Sequence, residues 1–197
     1  LPVQSQQWML YVGNAFAPGY GVVKGSQNFN PLAGVAFEQR IANRLWVRIA
    51  AGGQQITETN KTRTYLEEQP GFGYEATETR ISADRLYLVD VPVNIIWDAN
   101  PRHSFMAGLG VEGIIQTVNT VTENKITMFG NTEVSKTQST GYLAGNNPFF
   151  YNFNFGYRYR ITRRSSIDFN YANGFKGIND NGQNNQRLLV KLNLNIK

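Results

Sequence analysis

Eight ionisable side chains fall on the polar faces of otherwise apolar strands: Glu38, Arg40, Arg48, Asp90, Glu112, Arg158, Asp168 and Lys191. Four are acids and four are bases. Spaced apart and hydrated, such groups relay protons or ions. Paired carboxylates flanking a cleft support hydrolysis. Packed together without water, acids and bases neutralise one another as a plug. An unpaired buried charge is costly, and no cleft-forming motif accompanies these carboxylates. The plug is therefore the expected arrangement, with a gated ion path as the functional alternative.

Other chemical signals are weaker. Gly108, Gly110 and Gly113 spell G-x-G-x-x-G. A dinucleotide site needs that motif between a strand and a helix. Here the β-branched run Ile114 to Val118 follows, so a strand continues, and Gly108 and Gly110 read as small inward residues of a narrow barrel. His103 is the single histidine, which excludes a histidine metal cluster. Ser104 beside it points to the opposite face of a strand, so the two cannot act together. Cysteine is absent, which removes disulfides, thiol catalysis and cysteine metal sites. No cofactor, metal or catalytic residue is expected. The net charge of +5 does not gather on a helix, and no nucleic-acid partner is expected.

The elements that carry these residues are strands. Tyr151, Phe153, Phe155, Tyr157 and Tyr159 alternate with Asn152, Asn154, Gly156, Arg158 and Arg160. One face is wholly aromatic and the other polar, the pattern of a strand between lipid and a polar lumen. Ile167, Phe169 and Tyr171 against Asp168 and Asn170 repeat it, after a connection of about five residues that makes a hairpin.

The same alternation runs elsewhere. A first strand over 7–17 has an uncertain register. In the second, 32–41, Ala33, Val35 and Phe37 face lipid while Gly34, Glu38 and Arg40 face inward. In the third, 44–53, Val47 and Ile49 oppose Trp46 and Arg48. The fourth, 86–97, sets Tyr87, Val89, Val91, Val93, Ile95 and Trp97 against Asp90, Pro92 and Asn94. Pro92 predicts a bulge or a missing ladder bond. The fifth, 103–116, puts Phe105, Leu109 and Val111 outside and Glu112 inside. The last, 188–197, alternates Leu192 and Leu194 with Lys191 and Asn193.

Connections are short after the second, fourth and sixth strands. They are long at 17–30, 54–84, 117–147 and 173–185. Short periplasmic turns and long extracellular loops belong to outer-membrane barrels, and an even strand count leaves both termini periplasmic. Trp97 and Tyr159 near the short turns, with Tyr87 and Tyr151 near the long loops, supply two aromatic girdles. No run approaches the ~18 apolar residues of a membrane helix.

The run from Tyr87 to Trp97 with its central Pro92, the glycine-rich strand Phe105 to Glu112 and the alternating Leu188–Lys197 resemble the small eight-stranded outer-membrane barrels of the OmpA/OmpX type. They are closest in pattern to the Bacteroidetes outer-membrane β-barrel families that include PorT-like proteins. The resemblance implies an all-β, antiparallel, up-and-down transmembrane barrel formed by residues 1–197 as one domain.

Three functions fit. The first is a non-enzymatic accessory subunit or anchor with a protein partner in the envelope. The second is a free-standing surface barrel that binds a ligand or neighbouring surface through its long loops. The third, a lipocalin-like carrier, needs an apolar interior and a polar wall, the reverse of this pattern.

Overall fold

The computed structural model describes residues 6–16, 30–69, 75–127, 130–141, 149–174 and 186–196. These form nine strands: β1 (Gln6–Phe16), β2 (Pro31–Ala42), β3 (Leu45–Gln69), β4 (Glu75–Asp98), β5 (His103–Thr127), β6 (Gly130–Gly141), β7 (Phe149–Arg160), β8 (Ser165–Gly174) and β9 (Gln186–Ile196). All pairings are antiparallel. The ring runs β1, β2, β3, β4, β5, β7, β8, β9, and closes where Trp8 to Phe16 pair with Ile196 to Leu188. The fold is an eight-stranded antiparallel barrel. Closure leaves no sheet edge inside the barrel wall, the condition for strands to stand in lipid.

The ninth strand, β6, lies outside the ring. It pairs with Thr117–Thr127 of β5, directly above the stretch of β5 that pairs with β7. Strands β6 and β7 therefore lie one above the other along the same side of β5.

The expected long loops 54–84 and 117–147 are largely strand. β3 and β4 stay paired to Gln69↔Glu75, and β5 pairs with β4 up to Thr127↔Glu75. These extensions are rich in threonine (Thr57, Thr59, Thr62, Thr64, Thr117, Thr120 and Thr122), which favours extended backbone. Their buried face takes small and polar residues, Ala76, Glu78, Thr117, Asn119 and Thr120, so hydrophobic periodicity does not register them. The expected loop at 17–30 lies outside the described residues except for Asn30, and that at 173–185 except for Asn173 and Gly174.

Pro92 sits opposite Gly110 of β5 with no register shift. Toward β3 the register is also continuous, but the ladder skips from Ile49↔Val93 to Gly52↔Asp90. Proline's missing N–H thus costs a short interruption of pairing rather than a bulge. The bulge in β5 comes higher, where Tyr87 opposes Gln116 and Leu88 opposes Ile114. Ile115 and Gln116 are then both exposed, and alternation resumes with Thr117 buried.

The wall is apolar outside. Val35, Ile49, Val89, Val91, Val93, Leu109, Phe155, Phe169 and Leu192 are exposed. Phe37, Val47 and Phe153 share that face and are half-buried by neighbours. Trp97 and Phe105 stack at 6.0 Å, and His103 and Tyr159 meet at 5.4 Å, close to the short turns. Tyr87 and Tyr151 stand further along their strands, toward the opposite end, with Tyr151 fully outward. A wall that exposes its apolar residues and buries its charges is inside-out relative to a barrel in water.

Candidate functional site

The interior is built in layers along the strands. Nearest the short turns, Trp46, Ile96 and Met106 pack together. The Trp46 indole donates to Asp98 Oδ2 at 3.0 Å.

Above this floor lies a charge cluster from four strands. Arg158 of β7 and Asp168 of β8 face each other in register. Arg158 Nε donates to Asp168 Oδ1 at 2.7 Å and Nη2 to Oδ2 at 3.0 Å. Arg158 Nη1 reaches Glu38 Oε1 at 2.9 Å. Arg48 Nη1 binds Asp168 Oδ2 at 2.6 Å and lies 3.8 Å from Glu38. Arg48 Nη2 donates to Asn193 Oδ1 at 3.0 Å, and Gln7 Nε2 to Glu38 Oε2 at 2.5 Å. Two acids and two bases, all fully buried, thus exhaust one another with two amides completing the set.

A second cluster lies nearer the other end. Arg187 of β9 pairs with Glu112 and donates to Gln54 Oε1 at 2.7 Å. Asn152 Nδ2 donates to the same Glu112 oxygen at 2.5 Å. Between the clusters, Asp90 and Lys191 line one cavity without a direct ion pair among the described residues. The Lys191 ammonium instead lies 4.9 Å from the Tyr11 ring centroid, with Arg48 5.7 Å from the same ring. Tyr11 fits because Gly34 and Gly52 lie beneath it: a Cβ at either position would collide with its hydroxyl. The cavity offers about 10 Å³ to a water-sized sphere, room for about one water molecule. Further toward that end, Ile56, Leu86, Leu88, Ile114 and Phe150 pack into an apolar cap on the side of β3, β4, β5 and β7.

The structure therefore places Glu38, Arg48, Asp90, Glu112, Arg158, Asp168 and Lys191 in the lumen. Arg40 lies on the same inward face at the turn end: it pairs with Trp46, and the β2–β3 register shifts only beyond it, between Arg40 and Ala42. The Arg40 guanidinium folds back to Asn43 Oδ1 at 2.9 Å and the Ala42 carbonyl at 3.3 Å, with its carbon 6.0 Å from the Trp46 ring centroid. Deeper in the lumen, Arg187 completes a set of four acids and four bases. Arg187 was legible: it lies two residues before Leu189 and four before Lys191, on their face. Starting the last strand at Leu188 lost it.

The glycine motif lies mid-strand in β5, with no helix following. A Cβ at Gly108 would run into the Val93 carbonyl, and one at Gly110 would displace the Asn152 amide. His103 Nδ1 lies 2.5 Å from the Tyr157 hydroxyl, while Ser104 is buried inside and donates to Asp98 Oδ1 at 2.7 Å. The two act on opposite sides of the wall.

No protein-family model matches this sequence, and no curated protein matches it either. Solved structures do. The chain is similar to the attachment invasion locus protein Ail of Yersinia pestis, an outer-membrane protein. The Ail backbone structure in a phospholipid bilayer nanodisc aligns with a TM-score of 0.51 at 10% identity, over 96% of this chain and 99% of that chain. A crystal structure of Ail aligns with a TM-score of 0.46 at 9% identity, over 97% of both chains. The likeness is one of fold.

Proposed function

We propose that this protein is a non-enzymatic integral barrel of the bacterial outer membrane, with its short turns in the periplasm, and that it binds a partner through the sheet standing above the membrane. One observation carries this reading. The upper parts of β3, β4 and β5, with β6, form a four-stranded sheet beyond the ring. β2 leaves β3 at Leu32↔Gln54, and among the described residues no strand pairs with the far edge of β3 above that point, although the Thr57 N–H there donates to Asn30 Oδ1 at 2.8 Å. Among the described residues β6 pairs only with β5. Two open edges of N–H and C=O groups suit the addition of an extended strand from a partner. The side chains of Thr137 to Thr140 are exposed along β6. Soluble sheets usually blunt such edges.

The lumen supports a closed, non-conducting barrel. Six of its eight charges form direct ion pairs, its cavity is about one water in size, and an apolar layer lies toward its upper end. His103 and Ser104 on opposite faces support the absence of catalysis.

The test is gentle detergent extraction of the tagged protein from its native membrane after cross-linking. The control replaces 120–138 with an Asn-Gly turn between the paired residues Asn119 and Ser139. A companion captured by the intact chain and lost with the shortened hairpin is expected. A companion retained by both overturns the strand-addition reading.

A second reading, an accessory subunit docked through its wall, is favoured by one feature. A depression of about 990 Å³ on the outer surface is lined by Val12, Phe16, Ala33, Gly53, Tyr87 and Leu192. Small residues let another membrane protein approach closely. Gly34, which shares its strand with Ala33, instead points inward beneath Tyr11. The companion retained without the hairpin is the outcome that selects this reading.

A further inference from the structure

The lumen charges balance, so the excess behind the net charge of +5 must lie elsewhere. It gathers at the short-turn end. There Arg40, Arg44, Arg102, Arg160, Arg163 and Arg164 face a single carboxylate, Asp98, among the described residues. Asp98 is already engaged by Arg160 Nη2 at 2.8 Å and by Ser104 and Trp46. Arg40 folds onto its own turn.

Four arginines remain: Arg44, Arg102, Arg163 and Arg164. All are exposed, and their guanidiniums form no ion pair among the described residues. Their backbones are the opposite of free. The carbonyls of Arg44, Arg102 and Arg164 each accept an amide hydrogen bond from the neighbouring strand, from Asp98, Arg160 and Asn195 respectively, all at 2.8 Å. The turns are thereby tied to one another around the mouth, and the side chains project from a fixed rim. Arg44 has φ 68°, the left-handed region where glycine or asparagine sits without strain. A strained position that holds a long cationic side chain with no internal partner points outward for its purpose.

The rim adjoins the aromatic belt of Trp8, Trp97, Phe105 and Tyr159, which marks the depth of the lipid headgroups. Resting on the membrane reading above, we propose that Arg44, Arg102, Arg163 and Arg164 form a collar that binds the phosphates of anionic phospholipids in the leaflet at the turn end. Guanidinium groups match phosphate oxygens two at a time. A cleft of about 120 Å³ at the mouth, lined in part by Thr162, Arg163, Ser165 and Asn195, offers further donors at the same level.

All three tryptophans lie in this half of the barrel, with Trp8 and Trp97 exposed to lipid, so intrinsic fluorescence reports on the leaflet beside the collar. The experiment reconstitutes the chain in phosphatidylcholine vesicles containing a minority of phosphatidylglycerol. Either lipid carries brominated chains, which quench tryptophan on contact. The intact chain is expected to favour brominated phosphatidylglycerol about fivefold or more, the order that one apposed arginine supplies. Added salt should erode that preference. Replacing all four arginines with glutamine should bring it to parity, and replacing them with lysine should keep most of it. Retained heat-modifiable gel mobility shows that each variant is a folded barrel. Equal quenching by the two lipids in the intact chain overturns the collar. Failure of both lipids to quench overturns the membrane reading instead.

Discussion

Arg158 and Asp168 sit directly across from each other on adjacent strands and are joined by two bonds, of 2.7 and 3.0 Å, inside a ring of strands with no room for bulk water. Each also binds a second partner, Glu38 for the arginine and Arg48 for the aspartate. Removing Arg158 therefore leaves two buried carboxylates to share one arginine, Arg48. Arg158→Leu should lower stability by about 3–5 kcal/mol, the usual cost of breaking a buried pair from one side. The double change Arg158→Leu with Asp168→Leu should cost less. Urea titration of folding in vesicles reads both. Planar-bilayer conductance should stay at background in either variant, because the apolar cap around Phe150 is untouched. A large steady current in Arg158→Leu would favour a gated ion path over a plug.

Val91 and Phe155 point away from that lumen, into the apolar band. Arginine at either position places a charge near mid-membrane, at about 2–4 kcal/mol. Val91→Arg and Phe155→Arg should sharply reduce the folded fraction in phospholipid vesicles, read by gel mobility. Unimpaired folding of both would invert the assignment of faces.

Gly52 supports Tyr11 from below. Gly52→Val drives a branched side chain into the Tyr11 hydroxyl and should destabilise the barrel by about 1–3 kcal/mol, as overpacking does. Adding Tyr11→Ala should return part of that loss, and urea midpoints of the pair measure it. Independent, additive effects would show that the two residues do not share space.

The projecting sheet carries its own pH dependence. Glu78 accepts a hydrogen bond from Arg80 of its own strand at 3.0 Å and, across the β4–β5 pairing, from Asn124 at 3.1 Å. These bonds, the Arg80 one foremost, hold its carboxyl below the usual carboxylate range. A lowered folded-state value means the contribution is fully present above the unfolded value and is lost as pH falls through the folded one. Amide exchange in 76–80 and 122–126 should therefore quicken as pH drops below the carboxylate range, beyond the intrinsic trend. Glu78→Gln should flatten that extra change. An identical profile in the variant would remove Glu78 as its source.

Arg44 is strained at φ 68°. Arg44→Gly should raise stability by about 1 kcal/mol, the cost of the left-handed region for a residue with a Cβ. A midpoint that falls on this change would show that the guanidinium makes a stabilising contact of its own.

The sequence by itself determined the wall. Where one face meets lipid and the other a packed lumen, every second residue is forced apolar, so Val89 to Trp97 and Tyr151 to Tyr159 announce both strand and side. The alternation failed wherever that contrast ended. It ended beside the first short turn, where a bulge after Arg40 breaks period two, and it stopped short of Arg187 at the last strand's first inward position. It also failed in the upper parts of β4 and β5, where the buried face carries Glu78, Thr117, Asn119 and Thr120 rather than apolar residues. Only the tertiary structure decided which charges meet. Glu38, Arg48, Arg158 and Asp168 lie on four strands separated by as many as 130 residues, and barrel closure alone brings them together. It likewise decided that three distant turns form one arginine rim, since strand direction fixes which end each turn occupies and the hydrogen bonds between turns fix where each side chain must leave the backbone.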